Sequence, residues 1–199
     1  MPRKPVIQQP NLTYHVWTRC IEWRLMMAEE FFRALFVETI IQTQGKYHFE
    51  LNMYEILDNH VHLIIRTLPG GAPISRIMQY LKSRFAEKYN KITGRIGPLW
   101  NERYKYSIIE HATDPVRYLL NLLWYHGYNA VRKGFVSDPR KYAYGGINAY
   151  LEKDYKSRVK ITPHKFFLKL GETFEARLEA FLKYETAYLK RFADLIESI

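Results

Sequence analysis

The 199-residue sequence holds one cysteine, Cys20. No intramolecular disulfide can form, which suits a reducing compartment and excludes the small secreted folds built on disulfides. The sequence also lacks any run of about 18 apolar residues, the length a membrane-crossing helix requires. Its basic, proline-containing start, MPRKPVIQQPN, leads into no apolar segment. We therefore expect residues 1–11 to form a loose arm, not a secretory signal, and the protein to be cytoplasmic with no membrane partner. No self-similarity recurs at a period of about 20 to 50 residues, which excludes solenoid arrays. Acid is scarce relative to base: 20 Asp+Glu stand against 30 Lys+Arg, a net charge of +10. A surplus of this kind suits a polyanionic partner, nucleic acid before an anionic membrane, although it also serves solubility.

What is present reads as one folded domain with an appendage. Hydrophobic residues make up 47% of the chain and aromatic residues 16%, which excludes disorder. Leu12–Thr18 alternates and is rich in β-formers, predicting a strand. Ala28–Thr43 carries Phe32, Leu35, Phe36 and Ile40 at helical spacing. Tyr47–Leu57 alternates, with Leu51, Met53 and Glu55 on one face and Asn52 and Tyr54 on the other. Asp58-Asn59 is a turn, and His60–Thr67 the returning strand of a hairpin. Ile74–Ile92 is a helix with a basic outer face, and Glu102–Glu110 a strand. Asp114-Pro115 opens a helix that should run to about Arg132 and stop near Gly134. Strand, helix, strand, strand, helix, strand is the split βαβ order. It predicts an α+β fold: a ferredoxin-like antiparallel sheet with helices on one face, then a C-terminal helical extension. Within Glu172–Ile199, Phe174, Leu178, Phe181, Tyr188, Phe192, Leu195 and Ile199 recur at near-heptad steps. That stripe packs on its own domain or on a second copy, leaving a homodimer open.

The stretch NHVHLIIR carries His60 and His62 on one face of a strand, about 7 Å apart. Imidazoles so spaced can converge on one ion, although a bare H-x-H also describes two exposed histidines. Further along, Tyr125 and Asn129 lie four apart on the tyrosine-rich helix and share a face. Two imidazoles and an amide oxygen leave open metal positions able to grip a phosphate oxygen. Mixed N/O ligation favours Mg²⁺ or Mn²⁺ over a closed zinc site. Lys82, Arg84 and Lys88 on one helix, with Arg95, Arg103 and Lys105 after it, could track a phosphate backbone; a solvated face is the plain alternative. Trp100, Tyr104 and Tyr106 could stack unpaired bases or fill the core. Arg132 and Lys133 follow the tyrosine, where they could meet a phosphate or answer the helix dipole.

Four segments, LTYHVWTR, LDNHVHLIIR, ISRIMQYLKSRFAEKYNKITGRIGPLWNERYKYSII and YLLNLLWYHGYNAVRKGFV, resemble the single-tyrosine HUH transposases. Within that superfamily the likeness is strongest to the REP-associated tyrosine transposases of bacteria. The resemblance spans about residues 12–151, implying a catalytic domain there and a linker with an amphipathic helix over 152–199. It also implies that His60 and His62 bind metal, that Asn129 completes the ligand set, and that Tyr125 is the nucleophile. The expected activity is cleavage and rejoining of single-stranded hairpin DNA through a 5′-phosphotyrosine. The chain departs from the family's Tyr-Ile-His-x-Asn-Pro run by carrying His126, Gly127 and Ala130. Tyr128 is a second candidate nucleophile. The departures leave a non-catalytic nucleic-acid-binding protein as the alternative.

Overall fold

The structure is a computed structural model and describes residues 6–197, with side chains to residue 193. Residues 1–5 of the expected N-terminal arm, the side chain of Leu195 and all of Ile199 lie outside the described residues. Four strands, β1 (Thr13–Arg19), β2 (Phe49–Ile56), β3 (His60–Thr67) and β4 (Lys105–Ile108), form one antiparallel sheet in the order β2-β3-β1-β4. The helices α1 (Glu30–Lys46) and α2 (Ile74–Thr93) link β1 to β2 and β3 to β4. This is the ferredoxin-like topology that the element order implies.

Alternation divides the sheet between two cores. Tyr14 and Val16 of β1 join Val61, Leu63 and Ile65 of β3 against Phe36 and Ile40 of α1 and Ile77, Leu81 and Phe85 of α2. The opposite face offers Met53 and Ile64, which pack under α3 (Pro115–Gly127) through Leu119, Leu120, Leu123 and Trp124. The short α5 (Asn148–Leu151) and α6 (Lys165–Leu168) and the long α7 (Phe174–Glu197) complete that second layer. Phe181 of α7 is fully buried and stacks on Trp124 at 4.7 Å between centroids, and the Trp124 indole N–H donates to its carbonyl at 3.1 Å. The apolar stripe of α7 is thus used within the chain at Phe181, while Leu189 remains exposed.

Two departures from simple periodicity position the site. In β2 the pairing with β3 slips between Leu51 and Met53, leaving Asn52 as the extra residue of a bulge. Its amide donates to the Thr162 carbonyl at 2.8 Å and its carbonyl accepts from the Tyr150 hydroxyl at 2.8 Å. Strict alternation groups Glu55 with Leu51; the bulge instead sends Tyr54 into the core with Leu51 and turns Glu55 to the face bearing His62. In the tyrosine helix, the Asp114 carboxylate accepts from the Arg117 amide and Pro115 occupies the first turn. This helix ends at Gly127. The chain relaxes at Tyr128 (ψ −4°) and resumes as α4 (Asn129–Arg132). A Cβ at residue 127 would lie 3.3 Å from the Ile147 side chain, so glycine admits that loop against the helix. The strand expected over residues 102–110 is shorter, because residues 109–111 coil into a 3-10 turn ahead of α3.

Candidate active site: a histidine cluster beside the tyrosine helix

β3 holds His60 and His62 on the face covered by α3. Their rings meet edge-on at 5.1 Å. His60 Nδ1 lies 2.6 Å from the Asn59 side-chain oxygen. His62 Nδ1 lies 3.1 Å from Nε2 of His15, which β1 places on the same face. From above, α3 inserts His126, whose ring is 4.7 Å from that of His62 and 4.8 Å from that of His15. Opposite His62 in register stands Glu55 of β2, whose carboxylate accepts from the Asn129 amide at 2.7 Å and lies 3.5 Å from His126 Nδ1.

Burial governs the protonation of this cluster. Removal from water holds His15 and His62 well below the ordinary imidazole range, with neighbouring histidines adding to the effect. Burial, then the Arg19 charge, brings His60 down to about 4; burial, then Arg132, brings His126 to about 3. Four neutral imidazoles therefore present lone pairs at neutral pH. Burial pushes the Glu55 carboxyl up to about 8, opposed by its hydrogen bond from Asn129. Among the described residues, neither buried ring nitrogen of His126 has a hydrogen-bond partner, an orphaned state that a bound cation would relieve.

Tyr125 stands apart from these buried groups. It is 43% exposed, and its ring lies 5.5 Å from that of His126. The Arg132 guanidinium sits 4.6 Å over its face and donates to the Tyr125 carbonyl, the Tyr188 hydroxyl and the Asn129 side-chain oxygen. Asn129 is consequently engaged at both ends, by Glu55 and Arg132. Tyr125 and Asn129 do not face the same way: the break at Tyr128 leaves the phenol in a groove of about 590 Å³ with Tyr188, Arg191 and Phe192 of α7, and the amide inside. The Tyr128 hydroxyl donates to Glu185 at 2.8 Å, and burial raises its pKa. Tyr125 is thus the solvent-facing phenol of the pair.

The basic residues fall into two groups. Lys82, Arg84 and Lys88 are on α2, across the sheet from the histidines. Lys82 donates to the Glu102 carbonyl at 2.5 Å and burial lowers it to about 8; Arg84 pairs with Glu87 and Lys88 donates to Gln42. Arg95 donates to the Pro98 carbonyl. Arg103 and Lys105 line a cleft of about 290 Å³ with Trp17, Arg19 and Trp23. Trp17 stacks on His15 at 4.9 Å, so this cleft adjoins the histidines. Arg132 and exposed Lys133 lie on the α3–α4 side, both close enough to bias the cluster. Sequence reasoning missed His15, His126 and Glu55 as members of the cluster. Alternation puts His15 and Trp17 opposite Tyr14 and Val16, but nothing in it says which element covers them.

A profile of the IS200-like transposases matches residues 8–121, more than half of the chain. The chain belongs to the IS200-like transposase family. It is a transposase, an enzyme of the DNA-cleaving kind, and its DNA-binding and recombination character follows from that membership. Among solved structures, it is similar to a REP-associated tyrosine transposase bound to a REP hairpin, with a TM-score of 0.60 at 19% identity, over 81% of this chain and 95% of that one. That likeness shows a shared fold. A candidate transposase from Deinococcus radiodurans R1 is also similar (TM-score 0.40, 18% identity, 61% of this chain and 92% of that one). A search of curated proteins returns no match. Among the described residues, no helix of this transposase is long and apolar enough to cross a membrane.

Proposed function

We propose that this transposase cleaves and rejoins single-stranded hairpin DNA through a 5′-phosphotyrosine on Tyr125. The observation that carries the reading is the docking of α3 on the histidine face, which brings an exposed phenol to the rim of an imidazole cluster. In the step, the Tyr125 oxygen attacks phosphorus in line. The P–O3′ bond breaks, the phenol proton is released, and the departing O3′ gains a proton to become a free 3′-hydroxyl. One phosphoester replaces another, so rejoining by a 3′-hydroxyl needs no nucleoside triphosphate.

The donors fit a divalent ion: neutral buried imidazoles with a partnerless member suit a cation better than an apolar core. His60 and His62 would hold Mg²⁺ or Mn²⁺, with Asn129 as third donor once its oxygen leaves Arg132. Such an ion supplies Lewis-acid polarisation of the phosphate. Arg132, lying over the phenol, can then turn to the phosphate and stabilise its developing charge. Arg103 and Lys105 meet the strand electrostatically while Trp17 and Trp23 offer faces to unpaired bases; Lys133 extends that surface, and Lys82, Arg84, Lys88 and Arg95 serve duplex or loop phosphates across the sheet. Residues 12–151 form the catalytic unit, and Tyr188, Arg191 and Phe192 of the C-terminal extension wall the tyrosine groove. The place of action is the cytoplasm; self-association through the outer face of α7 remains compatible with this use.

A second reading, DNA binding without chemistry, draws on the family match ending at residue 121, ahead of Tyr125. One experiment separates them. Labelled single-stranded hairpin DNA and Mn²⁺ are incubated with wild type, Tyr125→Phe and Tyr128→Phe, then resolved on a denaturing protein gel. The proposal expects a DNA-linked band that is lost only in Tyr125→Phe. Absence of any band in wild type with intact hairpin binding supports the binder.

A further inference from the structure

We infer that His15, His62, His126 and Glu55 form a buried site for a borderline divalent transition ion such as Zn²⁺, sharing only His62 with the outer His60–His62 pair. The one-ion reading from sequence counts two imidazoles and an oxygen; the fold adds His15 from β1 and His126 from α3. One ligand atom from each of the three histidines lies within 4.8 Å of the others, and the His15–His62 pair is already at 3.1 Å. Tetrahedral ligands at about 2.0–2.1 Å from zinc stand about 3.3 Å apart, so closing on an ion takes small side-chain rotations. All three rings are buried, and Trp17 packs on His15 as a lid on one side.

Two features resist a purely apolar explanation. Both nitrogens of His126 lack a hydrogen-bond partner among the described residues, which costs free energy in an interior. Glu55 places a buried carboxyl 3.5 Å from His126 Nδ1; held protonated by burial in the metal-free protein, it would release its proton to an incoming ion and become the anion that three neutral ligands need. The Asn129 amide already orients that carboxylate, as outer partners of metal ligands do. Three imidazoles and a carboxylate favour zinc and its neighbours over Mg²⁺, which prefers oxygen and retains water. The site joins β1, β3, β2 and α3, so its ion would clamp the tyrosine helix to the sheet. Because His62 is shared with the outer pair, the two sets hold one ion at a time, and zinc uptake requires neither DNA nor Tyr125.

The test uses the metal-free full chain without DNA. Titration with Zn²⁺ by calorimetry should show one saturable ion. His15→Leu and His126→Leu should each weaken uptake at least about tenfold, a loss of the size seen when zinc ligation is disturbed. His60→Ala should stay within about twofold. X-ray absorption of the zinc-loaded wild type needs no variant and should count three imidazoles and one oxygen at about 2.0–2.1 Å. No saturable uptake, a two-imidazole spectrum, or uptake lost in His60→Ala and kept in His126→Leu would overturn the assignment. Tyrosine–DNA adduct formation in Mn²⁺, measured separately, reports the catalytic reading whichever way the zinc titration falls.

Discussion

Replacing His126 by leucine should make the metal-free protein more stable. The imidazole is 1% exposed, and neither nitrogen has a hydrogen-bond partner among the described residues. A buried polar group left unpaired costs about 1–3 kcal/mol, while leucine nearly matches its volume, and such swaps cost less than about 1.5 kcal/mol. The expected net gain is about 1–2 kcal/mol near neutral pH. Acid should enlarge it. Folding depresses the His126 pKa to about 3, so its contribution to stability is present above the unfolded value of 6.5 and is lost as pH falls from there towards 3. At pH 5 the wild type should lose about 2 kcal/mol at this residue that the leucine variant keeps, since each pH unit of proton uptake on unfolding is worth about 1.4 kcal/mol. Urea unfolding followed by circular dichroism, in EDTA at pH 7.5 and pH 5, measures both quantities. A variant destabilised by more than about 1 kcal/mol at pH 7.5 refutes the argument, because His126 would then make a favourable contact with Glu55 that outweighs its orphaned nitrogens.

Other consequences follow from the same contacts. Phe181→Ala removes a fully buried ring stacked on Trp124 and edge-on to Phe167, and should lower unfolding free energy by about 3–5 kcal/mol in urea. Arg132→Gln should slow tyrosine–DNA adduct formation by about tenfold to a hundredfold in single-turnover gels, with hairpin affinity changed far less, because the guanidinium lies on the phenol and not on the strand-binding cleft. Lys105→Ala should reduce the slope of log affinity against log salt by about 0.7, one phosphate contact to single-stranded DNA, in fluorescence anisotropy. An unchanged slope would remove Lys105 from the interface.

Much of the fold was legible because its signals are local. The β1-to-β4 order follows from alternation and helical spacing, and His60 and His62 share a face because strands alternate side chains. Glu55 was hidden by the Asn52 bulge, a one-residue slip fixed by Thr162 and Tyr150, more than ninety residues later in the chain. His15 sat in plain view on β1, but its meaning depends on what covers that face, and Ala112–Asp114 and the 3-10 turn that aim α3 there leave no periodic trace. The spacing of Tyr125 and Asn129 suggested one shared face. Relaxation of the helix at Tyr128, beside a glycine that admits Ile147, instead sends the phenol outward and the amide inward. The stripe on α7 was evident, and the structure adds that Phe181 within it packs on Trp124 of its own chain.

The central claim is that Tyr125 becomes covalently joined to a DNA 5′ end. The direct measurement is mass spectrometry of wild-type protein after reaction with hairpin DNA and Mn²⁺, exhaustive nuclease digestion and trypsin cleavage. The account expects a nucleotide remnant on Tyr125 and none on Tyr128, whose hydroxyl is committed to Glu185. A remnant on Tyr128, or a cleaved strand bearing a free 5′-phosphate with no modified peptide, contradicts it.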